Sequence, residues 1–81
     1  MYYVYAIKSN NRKYIYVGLT NNIIRRLNQH NNGNNKTTKP YKPFKLIYSK
    51  SFKNRSLARN KEKYLKSGIG KEYLKLLNKI N

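Results

Sequence analysis

The chain predicts a small α+β domain: a three-stranded antiparallel sheet, made of an N-terminal β-hairpin and a later third strand, flanked by helices in the order β-β-α-β-α-α. Three observations predict it. Two runs of alternating apolar residues flank Asn10-Asn11, and a third alternating run spans Phe44 to Phe52. Between and after these runs, apolar residues recur at helical spacing following Thr20, Asn54 and Gly70.

Tyr2 to Leu19 reads as the hairpin. Asn tolerates the positive φ of a two-residue turn, so Asn10-Asn11 is the expected loop. Val4 then faces Val17, Ala6 faces Ile15 and Tyr2 faces Leu19, which is an apolar set. The opposite face pairs Ile7 with Tyr14, Tyr5 with Tyr16 and Tyr3 with Gly18: a tyrosine-lined surface with bare backbone at Gly18. A one-residue slip would spoil both faces at once, so the alternation defines which residues travel together.

Thr20 and Asn21 are helix-capping residues, followed by an inward stripe of Ile23, Ile24, Leu27 and Asn31 on a helix of about ten residues. Asn22, Arg26 and His30, at steps of four, share a neighbouring face. Residues Asn31 to Pro43, with Gly33, Pro40 and Pro43, read as a polar and basic loop. In the third strand Phe44, Leu46 and Tyr48 alternate with Lys45, Ile47 and Ser49. Asn54 or Ser56 caps a second helix running to Lys66, with Leu57, Ala58, Lys61 and Leu65 inward, and Gly68 is placed to end it in the left-handed conformation. A last helix from about Gly70 buries Tyr73, Leu74, Leu77 and Ile80. No repeat or linker divides the chain, so residues 1–81 read as one domain.

Charge narrows the function. The 81 residues hold 19 Lys plus Arg against two acids, for a formal charge of +17, with one His and no Cys. Without cysteine there is no disulfide or zinc cluster to staple so small a core. Glu62 and Glu72 cannot build a two-metal nuclease site, which needs several carboxylates, and a catalytic carboxylate pair is equally hard to assemble. No Gly-rich nucleotide motif is present. The field of +17 on a small body favours a polyanionic partner, nucleic acid first, with a membrane surface or an acidic protein behind it. No apolar run approaches the roughly 18 residues of a membrane span and no secretory signal opens the chain, so a cytoplasmic location is the expectation. Nine Tyr, two Phe and the aliphatic residues argue against disorder.

A few residues could carry chemistry. Glu62 lies beside the buried stripe of its helix, so it serves either an intrahelical ion pair with Arg55, Arg59 or Lys66, worth about 0.2–0.5 kcal/mol, or a ligand role that needs neighbours from elsewhere. Arg25 and Arg26 form either a solvated face or a phosphate clamp, for which the planar guanidinium fork is suited. His30, one turn beyond Arg26, is a packing or surface histidine or a helper to that clamp. Tyr5 and Tyr16 fill a sheet or place two phenols side by side next to Gly18.

Taken in order, Tyr3-Val4-Tyr5, Tyr16-Val17-Gly18, Thr20, Arg26-Leu27 and the Ala58-to-Glu62 helix with Leu65-Lys66 resemble the signature of the GIY-YIG nuclease superfamily. The match extends over residues 2–77 and takes in Thr38-Lys39-Pro40-Tyr41 and Tyr64-Leu65-Lys66-Ser67-Gly68. It is similar in particular to small stand-alone members likened to the N-terminal nuclease domain of excinuclease C. Tyr3 stands where the family name has Gly, Leu19 follows Gly18 where some members are polar, and the region Ile69 to Leu74 lacks the Asn that many members carry after the acidic helix. Asn78 lies too far on to fill that place.

The resemblance implies phosphodiester hydrolysis with one divalent ion, Mg²⁺ or Mn²⁺, which the scarcity of acids allows. It implies Glu62 as metal ligand, Arg26 on the scissile phosphate, and Tyr16 with Tyr5 beside it orienting or deprotonating the attacking water; Gly18, Thr20 and His30 are auxiliary. A phenol is a weak base at neutral pH unless positive charge stabilises phenolate, and Arg26, a metal and the overall field act in that direction. Either the phenol or metal-bound water supplies the base. DNA is the expected partner, tracked by Arg25 and by Lys36, Lys39, Lys42 and Lys45, with Tyr41 and Phe44 stacking on the unpaired bases of a single-stranded or branched substrate. Specificity then comes from a homodimer, a targeting partner or DNA structure. The alternative is a basic nucleic-acid-binding module without catalysis.

Overall fold

The computed structural model describes residues 1–80, with side chains described through Leu77. Its elements are β1 (Tyr2–Ser9), β2 (Ile15–Thr20), α1 (Ile23–Asn31), a 3-10 turn (Lys39–Tyr41), β3 (Phe44–Phe52), α2 (Arg55–Lys66) and α3 (Gly68–Ile80). The antiparallel sheet has the order β2-β1-β3, so the first strand is central. Val4, Tyr5, Ala6 and Ile7 are consecutive and all buried, because helices cover both faces of that strand. On one face Val4, Ala6 and Val17 pack with Ala58 and Leu65 of α2 and Leu74 of α3. On the other, Tyr5, Ile7 and Phe44 pack with Tyr14, Tyr16, Leu27 and Tyr41.

The hairpin turn is longer than the sequence suggests. Ser9 donates its N–H to the Tyr14 carbonyl at 3.0 Å, and the Ser9 hydroxyl accepts from the N–H groups of Asn11 and Arg12 at 3.2 and 3.1 Å. Lys8 Nζ closes the loop by donating to the carbonyls of Ser9 and Arg12. Asn10 to Lys13 form the loop, and every pairing moves along by two positions: Val4 meets Leu19, Tyr5 meets Gly18 and Ile7 meets Tyr16. An even shift keeps each side chain on its face, so the apolar and tyrosine sets survive the correction.

Three further local expectations change. Asn22, not Thr20 or Asn21, caps α1 by accepting from the Arg25 N–H at 3.0 Å, while the Thr20 hydroxyl accepts from Asn22 N–H. The helix phase that follows leaves Ile24 75% exposed and turns His30 inward with Ile23 and Leu27. In β3 a bulge opposite Ala6 and Ile7 inserts Ile47, which splits the even-numbered residues: Phe44 joins the α1 face, whereas Tyr48 and Phe52 join the α2–α3 face.

The third change is at the α2–α3 junction. Gly68 does not adopt a left-handed conformation; Gly33 is the glycine with positive φ among the described residues. Ser67 instead ends α2 in extended backbone, and its hydroxyl accepts from Gly70 N–H at 3.3 Å as α3 begins. Asn54 caps α2 as expected, accepting from Leu57 N–H at 2.9 Å. Leu57 and Tyr73 are exposed, Leu74 is buried and Leu77 half-buried, and the Ile80 side chain lies outside the described residues.

Gly70 is where the two helices meet most closely: a Cβ there would overlap the Tyr64 carbonyl and the Leu65 Cα. These are backbone atoms, so nothing can swing aside. Gly70→Ala is expected to lower stability by about 1–3 kcal/mol, read as an earlier urea midpoint at unchanged slope, whereas Gly68→Ala, with nothing within 4 Å of its Cβ, causes no such loss.

Candidate active site

Tyr5 is the pivot of the site. It sits opposite Gly18, and a Cβ on that glycine would lie 2.5 Å from the Tyr5 hydroxyl oxygen. The phenol therefore lies across the β2 backbone at the place where no side chain stands. Its ring is 6.4 Å from that of Tyr16 and 5.9 Å from that of His30, centroid to centroid. His30 Nε2 is 2.9 Å from Tyr5 Oη, and His30 Nδ1 is 2.8 Å from Thr38 Oγ1. Both His30 and Thr38 are completely buried.

Burial pushes the Tyr5 hydroxyl above its ordinary pKa; the Arg26 guanidinium beside it partly offsets this, and Tyr16 and Glu62 add to the rise. The expectation that nearby positive charge favours phenolate is thus reversed at Tyr5, because desolvation outweighs Arg26. Tyr5 is a neutral phenol at neutral pH. His30 is held down at about 4, chiefly by burial and then by the charge of Arg26, so it is a neutral imidazole. Arg26 is held above its ordinary value, mainly through its hydrogen bonding to Tyr5, and it remains cationic.

These groups open onto a cleft of about 550 Å³. Tyr5, Tyr16, Gly18 and Thr20 line it from the sheet, Arg25 and Arg26 from α1, and Glu62, Arg55 and Arg59 from α2. The Glu62 side chain is only 12% exposed and pairs with Lys66 at 3.2 Å. The ion-pair reading of Glu62 thus holds, and the same carboxylate also lines the cleft. Glu72 pairs with Lys75 at 3.4 Å and does not line this cleft. Among the described residues no arginine has an acidic partner, and the cleft presents four arginines around a single carboxylate.

Among the described residues no group of three or more His, Cys, Asp or Glu side chains converges. A caged metal site is therefore not built here. A lone carboxylate facing an arginine-lined cleft does suit a hard divalent cation, which takes one or two carboxylates and completes its shell with water and substrate oxygens.

The predicted basic loop lies elsewhere. Lys36, Lys39, Lys42 and Lys45 are exposed and none lines the cleft. Tyr41 stacks on Tyr14 with centroids 3.9 Å apart, and the Arg12 guanidinium stands 5.9 Å from its ring centre. Phe44 is 4% exposed and belongs to the core, so it offers no face to a base. Sequence reasoning did not single out Arg55 and Arg59 for binding, although their spacing from Glu62 places all three on one face of α2. It also missed Thr38 as a partner of His30, for which the sequence holds no local signal.

A family model described as the GIY-YIG catalytic domain matches residues 1–78. The chain belongs to the GIY-YIG nuclease family. It is 37% identical over 79 residues to a UPF0213 protein of Clostridium perfringens, covering 96% of this chain and 84% of that one. Its fold is similar to the solution NMR structure of a UPF0213 protein of Bacillus halodurans, at 31% identity and a TM-score of 0.56, covering 95% of this chain and 85% of the other. GIY-YIG nucleases generally use a divalent metal, and the domain implies a nucleic acid substrate. No helix among the described residues is long and apolar enough to cross a membrane.

His30 gives the site a pH signature. Its folded-state pKa of about 4 lies below the ordinary 6.5, so in the window between them the unfolded chain binds a proton that the folded chain refuses. Stability is complete above the upper value and falls as pH drops toward the lower. The loss expected between about pH 7.5 and about pH 5 is about 2 kcal/mol. Urea unfolding at the two pH values checks it, and His30→Asn flattens the difference.

Proposed function

We propose that this GIY-YIG domain is a metal-dependent endonuclease that hydrolyses phosphodiester bonds of DNA, single-stranded or branched, in the cleft between β2, α1 and α2. The observation that carries this reading is the arrival of Glu62, from one side of the sheet, in the same cleft as Tyr5, Tyr16 and Arg26 from the other. These residues come from four different elements, and ion-pair formation within α2 gives no reason for that meeting.

Arg26 binds the scissile phosphate and stabilises the charge that grows on its oxygens as the water attacks. It is already oriented, through Tyr5 and through the hydrogen bond from its Nη1 to Gln29 Oε1 at 3.0 Å. Tyr16, with neutral Tyr5 beside it, orients the attacking water. Glu62 would hold one Mg²⁺ or Mn²⁺, which supplies Lewis-acid activation of the phosphate and acidifies water. Arg25, Arg55 and Arg59 receive flanking phosphates along the cleft rim. Lys36, Lys39, Lys42 and Lys45 contribute the more distant field that draws the strand in, with Tyr41 stacked on Tyr14 among them. Selection among DNA sites then comes from DNA structure, a second copy or a partner protein.

Cleavage of labelled single-stranded, duplex and branched DNA, with RNA as control and with Mg²⁺, Mn²⁺ or EDTA, tests the proposal. Cutting is expected with metal and not with EDTA, Glu62→Gln abolishes it while binding is retained or improved, and Arg26→Ala lowers kcat by about 10²–10³. Binding without cutting, or a Glu62→Gln protein as active as wild type, makes the chain a binding module instead.

The strand path has its own readout. Two lost phosphate contacts lower the slope of log affinity against log salt by roughly 1.4 on single-stranded DNA. Arg55→Gln with Arg59→Gln is expected to show that change. Lys39→Gln with Lys42→Gln, outside the cleft, should change it less, and the reverse ranking would move the path to the loop.

A further inference from the structure

Tyr5, His30 and Thr38 form a hydrogen-bonded chain that runs from the cleft into the protein, and its direction is set by which groups can accept. Tyr5 is 2% exposed, His30 and Thr38 are fully buried, and the links measure 2.9 Å and 2.8 Å. Buried donors in folded proteins find acceptors, so the three protons in the chain have few arrangements open to them.

On the cleft side the Tyr5 hydroxyl interacts with Arg26, and a guanidinium accepts nothing. The Tyr5 proton therefore has one buried acceptor, His30 Nε2. His30 is neutral, so its single ring proton is then on Nδ1, directed at Thr38 Oγ1. The Thr38 hydroxyl in turn donates onward to the Asn35 carbonyl at 3.5 Å, a long bond that completes the chain. The opposite direction would turn the Tyr5 proton toward the Arg26 guanidinium, which cannot accept it.

We infer that Thr38 is a positioning residue which holds His30 in its Nδ1–H tautomer, so that Tyr5 spends its proton on His30 and turns lone pairs toward the cleft. Tyr5 is thereby an acceptor where an incoming water offers its hydrogens. This goes beyond the nuclease reading, and its catalytic consequence rests on that reading, but the tautomer itself does not. The residue responsible sits eight positions beyond His30, just before the 3-10 turn at Lys39 and between the exposed Lys36 and Lys39. The segment proposed to attract the strand thus also sets the polarity of the catalytic phenol.

His30 is the single histidine of the sequence, so its ring nitrogens can be read without assignment ambiguity. Nitrogen-15 NMR of the whole protein at neutral pH is expected to show Nδ1 protonated and Nε2 unprotonated. Thr38→Ser should keep that pattern, and Thr38→Val should move the proton to Nε2. A wild-type spectrum with Nε2 protonated overturns the inference, and so does a folded Thr38→Val protein with the wild-type pattern. The wild-type spectrum decides even if the valine variant does not fold. In the cleavage assay Thr38→Val is expected to lower kcat about tenfold with KM unchanged, with Thr38→Ser restoring it. Absence of cleavage in every protein would sink the nuclease reading and leave the tautomer to stand or fall on the spectrum.

Discussion

A tyrosine hydroxyl in the middle strand of a sheet covered on both faces has to be given partners by the fold. Leaving such a group unsatisfied costs about 1–3 kcal/mol, a large share of what an 81-residue domain can hold. Around Tyr5 the chain answers with Gly18, whose missing side chain makes room for the phenol, and with His30 and Arg26 from α1. So the tyrosine that packs in one core cluster also forms a wall of the cleft.

Charge imposes the second constraint. With 19 basic residues against two carboxylates, the folded chain repels itself wherever lysines and arginines crowd. Lys71 shows the strain locally: its ammonium, donating to the Ile15 carbonyl at 2.9 Å, is pushed below the ordinary lysine pKa by burial and by Lys66 and Lys75. Each glutamate is set beside a lysine, yet among the described residues the four arginines of the cleft have no acidic partner other than whatever field Glu62 provides. An anion entering the cleft relieves that repulsion, so binding and folding favour the same charge arrangement.

The β3 bulge links these local facts. Strict alternation would send Phe44, Leu46, Tyr48 and Phe52 to one face and leave the other short of apolar surface. By inserting Ile47 the strand supplies Phe44 to the α1 side and Tyr48 and Phe52 to the α2–α3 side. Phe44 is then tied to α1 through Asn31, whose amide accepts from the Phe44 N–H at 2.7 Å and donates to its carbonyl at 3.3 Å. That tie fixes the end of the helix that carries His30, and with it the approach of Arg26 to Tyr5.

Much of this was legible in the amino-acid sequence, because alternation and helical spacing report which residues share a face. The element order, the apolar and tyrosine faces of the hairpin and the grouping of Tyr5, Tyr16, Arg26 and Glu62 as candidates all came from local pattern and family resemblance. The hairpin register, the phase that exposes Ile24 and buries His30, and the bulge at Ile47 did not. Each depends on a choice between nearly equal local options, settled by backbone hydrogen bonds and packing from distant segments. The partnership of His30 with Thr38 and the withdrawal of Phe44 into the core were decided by tertiary structure alone. Burial also reversed the pKa expectation for Tyr5, since desolvation is a property of what surrounds a side chain and no sequence neighbour reports it.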